Sequence, residues 1–323
     1  MTNRPPTASS GAVRRDNALI LCGAVGFGLV PLFARPLMDA GLAPEAVALY
    51  RFVPGLLLTL PLLMRLAPDR VRRRQALWLV LSGASVGLSW VLYLHGLDRV
   101  PVAWAGTVYM SYPLFVIVIA WVAFRRFPAA RSWGAAALVL LAAVFLVSGP
   151  MDGQGAEARW ALLLCLPAPI AFAAMITLLV RGCRSLSSLE RMGGLLSGTV
   201  LGLIPLLVGV GHTASLIPGS AAEWGWVLGL VALTAIGPQM IYTSVAPRVS
   251  EMRLSILGSV ELPTMVLVAW WAFSETLGTM EVLSILCVVV ATVLVPSTEP
   301  DTSTPPPSRG WLRPGRPPAR SRP

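Results

Sequence analysis

Ten stretches of about 20 residues, each nearly free of charge, divide this 323-residue chain. They lie at about 17–37, 44–64, 76–96, 101–123, 131–149, 159–180, 189–210, 224–246, 254–274 and 278–297. At 1.5 Å per residue, a helix of about 20 apolar residues crosses a hydrocarbon layer of about 30 Å. Backbone groups in lipid must be satisfied internally, so only helices or a closed barrel can span it. Barrel strands alternate apolar and polar residues over about 10 positions. These runs do not alternate, and they predict helices. Composition closes the soluble route: 55% of residues are hydrophobic and 12% charged, against about 25% charged in a soluble domain. A basic nucleic-acid binder is excluded too, despite a net charge of +10, because such proteins gain charge without losing polarity.

The basic residues orient the chain. All 25 are arginine. Short loops rich in arginine stay on the cytoplasmic side. With ten spans, 21 arginines fall on one side, including Arg14, Arg15, the cluster from Arg65 to Arg74, Arg125, Arg126, Arg131, Arg181, Arg184, Arg191, Arg248, Arg253 and those of the tail. Three fall on the other (Arg35, Arg99 and Arg159), and Arg51 lies inside a span. The expected arrangement is a multi-pass protein of the plasma (inner) membrane with both termini cytoplasmic. The first run is long and has no A-x-A site, so it reads as a retained helix rather than a cleaved signal. Residues 298–323 are rich in Pro, Ser, Thr and Arg and read as a disordered tail. The four cysteines have no C-x-x-C spacing, and neither a disulfide framework, a metal nor a cofactor is suggested.

The chain repeats itself weakly. At an offset of 149, Val91-Leu92-Tyr93 aligns with Met240-Ile241-Tyr242, and Ala120-Trp121-Val122-Ala123-Phe124 with Ala269-Trp270-Trp271-Ala272-Phe273. Pro113 and Pro263 fall one residue out of step. The expected division is a tail (1–16), a first five-helix repeat (17–149), an external linker (150–158), a second five-helix repeat (159–297) and the C-terminal tail (298–323). Five is odd, so the second copy has inverted topology. Arg125, Arg126 and Arg131 stand in the loop after span 4, Glu275 and Glu281 in its counterpart after span 9. Inverted repeats place a solute site near the midplane between the halves and permit alternating access.

Glu261-Leu262-Pro263, followed by Ala269-Trp270-Trp271-Ala272-Phe273-Ser274-Glu275-Thr276-Leu277, resembles a signature of the drug/metabolite transporter superfamily, specifically its tandem EamA-type members. Pro113 with Ala120-Trp121 is the weaker first-copy version, and Tyr50-Arg51-Phe52 resembles an arginine motif in the second helix. The resemblance implies an all-α membrane protein of ten transmembrane helices and transport of small metabolites, most often efflux. Arg125-Arg126 stand where the first repeat usually has an acidic residue, and Phe27-Gly28 where span 1 often has Trp-Gly.

Two ionisable residues are buried in the spans. Glu261 sits about seven residues into the ninth and Arg51 about seven into the second. Such groups cost about 2.5–3.5 kcal/mol or more to insert and need a partner, water or a proton. They are candidates for substrate binding or coupling, and an Arg51–Glu261 pair is expected from their comparable depth. The alternatives are a carboxyl that glues helices and an arginine that snorkels to the interface. Pro263 leaves the Ser259 carbonyl without its helical donor, and Pro113 does the same to Tyr109. Tyr109, Ser111 and Tyr112 are candidates to offer hydroxyls, and Gln239, beside Pro238, an amide. Pro167 and Pro169 break the sixth span. Ordinary compensated kinks are the competing reading of these prolines. His95 reads as an interfacial residue or a pH switch, Glu275 as a loop carboxylate or a structural part of the motif.

No G-x-x-x-x-G-K-[ST] sequence is present, since the chain has no lysine. The reading is a secondary transporter, driven by protons or by exchange, with a small solute and the bilayer as partners and no nucleic acid. The competing classes are a membrane scaffold or receptor without flux, and an intramembrane enzyme. The enzyme would need convergent catalytic groups, and His95 and His212 are the only histidines. Neither the solute nor the oligomeric state is legible.

Overall fold

In the computed structural model the described residues are 10–64, 69–97, 99–100, 102–124, 130–147, 155–207, 216–274 and 278–294. They form helices, with no strand among them. In order these are α1 (Ser10–Gly28), α2 (Val30–Asp39), α3 (Pro44–Met64), α4 (Arg70–Leu97), α5 (Val102–Tyr109), α6 (Tyr112–Phe124), α7 (Ala130–Val147), α8 (Gly155–Cys165), α9 (Pro167–Arg181), α10 (Ser188–Leu207) and α11 (Ala221–Val231). A π-helical turn (Ala232–Ile236) leads into α12 (Gly237–Val245), and a 3-10 turn (Ala246–Arg248) follows. The chain ends in α13 (Glu251–Gly258), α14 (Glu261–Phe273) and α15 (Thr279–Leu294).

Each of the ten apolar runs is helical over its described residues, and several are broken. Five stretches are long and apolar enough to cross a membrane: Gly11–Asp39, Arg70–Tyr93, Glu157–Arg181, Ala221–Arg248 and Glu251–Phe273. Tyr112–Ala123, Ala130–Ala142 and Val282–Leu294 are shorter apolar helices. Large apolar side chains face outward, among them Trp271 at 73% exposure and Val293 at 78%. Water would penalise such a surface, whereas lipid tails accept it.

The helix starts have local causes. At α10, Ser187 Oγ accepts from the Glu190 amide at 3.3 Å, and Glu190 Oε2 accepts from the Ser187 amide at 2.7 Å, a reciprocal cap. At α11, Ser220 Oγ accepts from the Glu223 amide at 3.2 Å, while Glu223 Oε2 accepts from the Gly219 amide at 2.8 Å. The breaks lie beside prolines, which lack an N–H for the carbonyl four residues back. The α1–α2 break at Leu29 precedes Pro31, the α5–α6 break precedes Pro113, the α8–α9 break precedes Pro167 and the α13–α14 break precedes Pro263. Pro169 lies inside α9 and marks no break.

Two boundaries differ from the sequence expectation. The segment 1–16 was expected to be tail, yet α1 reaches back to Ser10. Its polar first turns have partners across the bundle: Arg248 Nη2 donates to Asp16 Oδ1 at 3.0 Å, and Arg253 Nε donates to Asn17 Oδ1 at 2.8 Å. Similarly α4 begins six residues before the expected run, where Arg72 pairs with Glu190 of α10. Residues 1–9, the expected linker at 150–154, Arg125 and Arg126, Glu275 and the tail 298–323 lie outside the described residues.

α4 and α10 make a close seam. A Cβ on Gly198 would collide with the Val80 carbonyl, and one on Gly83 with the Leu195 carbonyl. Small residues let the two backbones meet, as in other membrane helix pairs. This seam joins the first half of the chain to the second and forms one wall of the cavity described next.

Candidate functional site

Between the two halves lies a small cavity of about 30 Å³, well below the range of small-molecule pockets. The first half contributes Phe27 from α1, Arg51 and Phe52 from α3, Val86 and Trp90 from α4, and Tyr109 from α5. The second contributes Phe172 and Met175 from α9, Leu195, Leu196 and Thr199 from α10, Gln239 from α12 and Glu261 from α14. Arg51 is 5% exposed and Glu261 6%.

The helix breaks aim the polar groups. Glu261 is the first residue of α14, so its carboxyl sits where a helix starts rather than in the middle of a continuous span. The positive end of the helix dipole favours a negative charge at that place. Among the described residues its side chain has no hydrogen-bond donor.

Arg51 is held differently from the expectation. No salt bridge joins it to Glu261 among the described residues, although the two charges act on each other across the cavity. Instead Arg51 Nη2 donates to the Thr234 carbonyl at 2.9 Å. That oxygen is the one Pro238 leaves without a helical N–H. The turn before Pro238 widens into a π-helical turn, closed by the Gly237 amide on the Ala232 carbonyl. The guanidinium also lies 5.0 Å from the ring centroids of Trp90 and Phe52, and among the described residues its Nε has no hydrogen-bond partner.

The expected hydroxyls divide. Tyr109 lines the cavity. Ser111 turns back on its own helix, donating to the Val108 carbonyl at 2.6 Å. Tyr112 donates to the Ser255 carbonyl at 2.8 Å, which ties α6 to α13. The Ser259 carbonyl, expected to be left open by Pro263, accepts from the Leu262 amide at 3.0 Å within a tight turn. Pro113, Pro238 and Pro263 are themselves buried, and Pro167 is half-buried. His95 lies away from the cavity, its Nε2 3.1 Å from Glu45 Oε1.

Sequence reasoning missed the aromatic lining. Phe172 meets Tyr112 edge-on with centroids 5.0 Å apart, and Phe27 meets Tyr242 at 5.1 Å. Tyr109 stands 5.7 Å from each of Tyr93, Tyr112 and Phe172. Tyr93 and Tyr242, equivalent at the offset of 149, both belong to this cluster. Phe172 and Trp90 stand in apolar runs where nothing in the local sequence separates a cavity ring from a lipid-facing one. Rings around a carboxyl and a guanidinium can hold a flat or cationic group while the charges orient it. Among the described residues no cluster of His, Cys, Asp and Glu could hold a metal ion.

Residues 16–148 match the EamA-like transporter family. That segment holds Arg51, Trp90 and Tyr109 of the cavity lining, and the match agrees with the drug/metabolite transporter resemblance seen in the sequence. The match over this segment and the apolar helices suggest a membrane protein related to transporters of small solutes. A protein of known crystal structure superposes at a TM-score of 0.70, covering 87% of this chain and 96% of its own at 14% identity. At that identity the likeness is one of fold. No curated protein matches the chain in sequence.

Proposed function

We propose that this EamA-like protein is a secondary transporter that exports a small metabolite or drug across the plasma membrane by alternating access. Its working parts are two five-helix repeats of inverted topology, residues 17–149 and 159–297, joined by an external linker and flanked by cytoplasmic termini. The observation that carries this reading is the cavity itself. Both halves line it, and each contributes one buried charge, Arg51 from the first and Glu261 from the second. A site shared between halves is exposed to alternate sides when one half rocks against the other.

The lining suits a small solute of mixed polarity, such as a zwitterionic amino acid, a nucleobase or an amphiphilic drug. Glu261 is the coupling group in this reading: a buried carboxyl at a helix start, without a hydrogen-bond donor among the described residues, exchanges protons as the cavity opens. Metabolite levels in cells overexpressing the protein, compared with cells lacking it, would identify a solute. Its flux is then measured in proteoliposomes under an imposed pH gradient. Flux that follows the gradient supports proton coupling, and flux indifferent to it removes the coupling but keeps transport. Absence of any flux across a broad solute panel would overturn the transporter reading in favour of a scaffold.

A further inference from the structure

One segment of the second half touches both the cavity and the arginine-rich end of the bundle. It starts at the π turn, where the Thr234 carbonyl accepts from Arg51. Gln239, on the next turn, lines the cavity. Further along, the Thr243 carbonyl accepts from Arg191 Nη1 at 2.8 Å. The segment ends at Arg248, which reaches Asp16 of α1. At 1.5 Å per residue the distance from Thr234 to Arg248 is about 21 Å, so a nearly rigid rod links the two places.

The arginine-rich end is closed by a polar seam between the halves. Arg248 binds Asp16, Arg253 binds Asn17 and the Val13 carbonyl, and Arg72 binds Glu190. Gln75 Oε1 accepts from the Ser185 amide at 3.2 Å. Cys183 is sealed within this seam. It is 0% exposed, its thiol lies 3.8 Å from the Gln75 carbonyl, and its own carbonyl accepts from Arg191.

The π turn is the irregular part of this segment. It holds one residue more than an α turn, and such bulges recur at functional sites. Pro238 has no N–H to give the Thr234 carbonyl, which accepts from Arg51 instead. Any anionic group that draws the guanidinium away takes that donor from the turn.

We propose that the π turn and α12 form a transmission element: Thr234 positions Arg51, and release of Arg51 to an anionic group of a solute lets α12 shift and opens the polar seam. The assignment of a solute to the cavity rests on the transporter reading. The mechanical link between Arg51 and the seam does not.

The test is the rate at which N-ethylmaleimide alkylates Cys183 in the purified full-length protein in detergent, read by peptide mass spectrometry. Burial pushes the Cys183 thiol up to about 12, so alkylation is slow while the seam is closed. Arg51→Gln removes the charged donor. Pro238→Ala restores an N–H to the ladder, so that Thr234 no longer needs Arg51. Both are expected to raise the Cys183 rate at least fivefold, with Arg51→Lys closer to the parent protein. Cys165, equally buried but beside Tyr93 and away from the seam, keeps its rate. An unchanged Cys183 rate in both variants, or equal rises at Cys165 and Cys183, would overturn the proposal. Labelling needs no solute, so failure here leaves transport standing, whereas absent flux leaves the labelling result standing.

Discussion

Arg51 Nη2 donates at 2.9 Å to the Thr234 carbonyl, 183 residues away in sequence, and so supplies the hydrogen bond that Pro238 withholds. A buried carbonyl without a donor costs about 1–3 kcal/mol, and more when a charged partner is lost. The arginine therefore serves the fold and the cavity at once. It is held in the cavity by a helix defect in the opposite half.

Glu261→Gln keeps the size of the side chain and removes its titration. For the solute identified by metabolite screening, this variant is expected to retain binding but to lose the response of flux to a pH gradient. The comparison is made in proteoliposomes with matched protein content. A variant that still follows the gradient would remove Glu261 from the coupling step.

Trp90→Ala removes the ring beside the Arg51 guanidinium. That cation–π contact is made within the protein and contributes about 0.5–2 kcal/mol. The expected signature is a lower melting temperature in detergent, and an unchanged one would show that the contact does not stabilise the bundle.

Gly198→Leu drives a side chain into the Val80 backbone across the α4–α10 seam. Overpacking of this kind costs about 1–3 kcal/mol, and here backbone, not a flexible side chain, must yield. The melting temperature in detergent should drop clearly. Gly225→Ala, at a position with open space around the new methyl, is the matched control and should leave it within about 1 °C of the parent, as an unobstructed helix substitution does.

Tyr112→Phe deletes the hydroxyl that reaches the Ser255 carbonyl. That carbonyl also accepts from the Ser259 amide at 3.1 Å, so it is not orphaned. The loss should be about 0.5–1.5 kcal/mol in thermal unfolding, without a change in solute preference. A changed preference would place the Tyr112 hydroxyl in the cavity.

The long apolar runs were legible as helices because each is nearly free of charge over about 20 residues, and α3 falls at the expected 44–64. The proline arithmetic was legible too, since the carbonyl four residues back is fixed by geometry. What became of each freed carbonyl was not. Ser259 found a donor three residues on, whereas Thr234 found one in α3. The expected Arg51–Glu261 ion pair is absent among the described residues although both line the cavity, because the Thr234 carbonyl holds the guanidinium, and that carbonyl could not be placed beside Arg51 from sequence. α1 begins at Ser10, ahead of the expected 17, and Arg248 and Arg253 give its Asp16 and Asn17 partners that local sequence does not reveal.

That last contact sets an order of events during synthesis. Asp16 is only 8% exposed in the finished bundle, yet its partner Arg248 follows it by 232 residues. At about 5–20 residues per second, the ribosome delivers that arginine roughly 10–50 s later. For that interval the first helix carries an unpaired carboxylate at the membrane surface and cannot take its final seat. Assembly of this protein is thus completed from the last third of the chain backward onto the first helix.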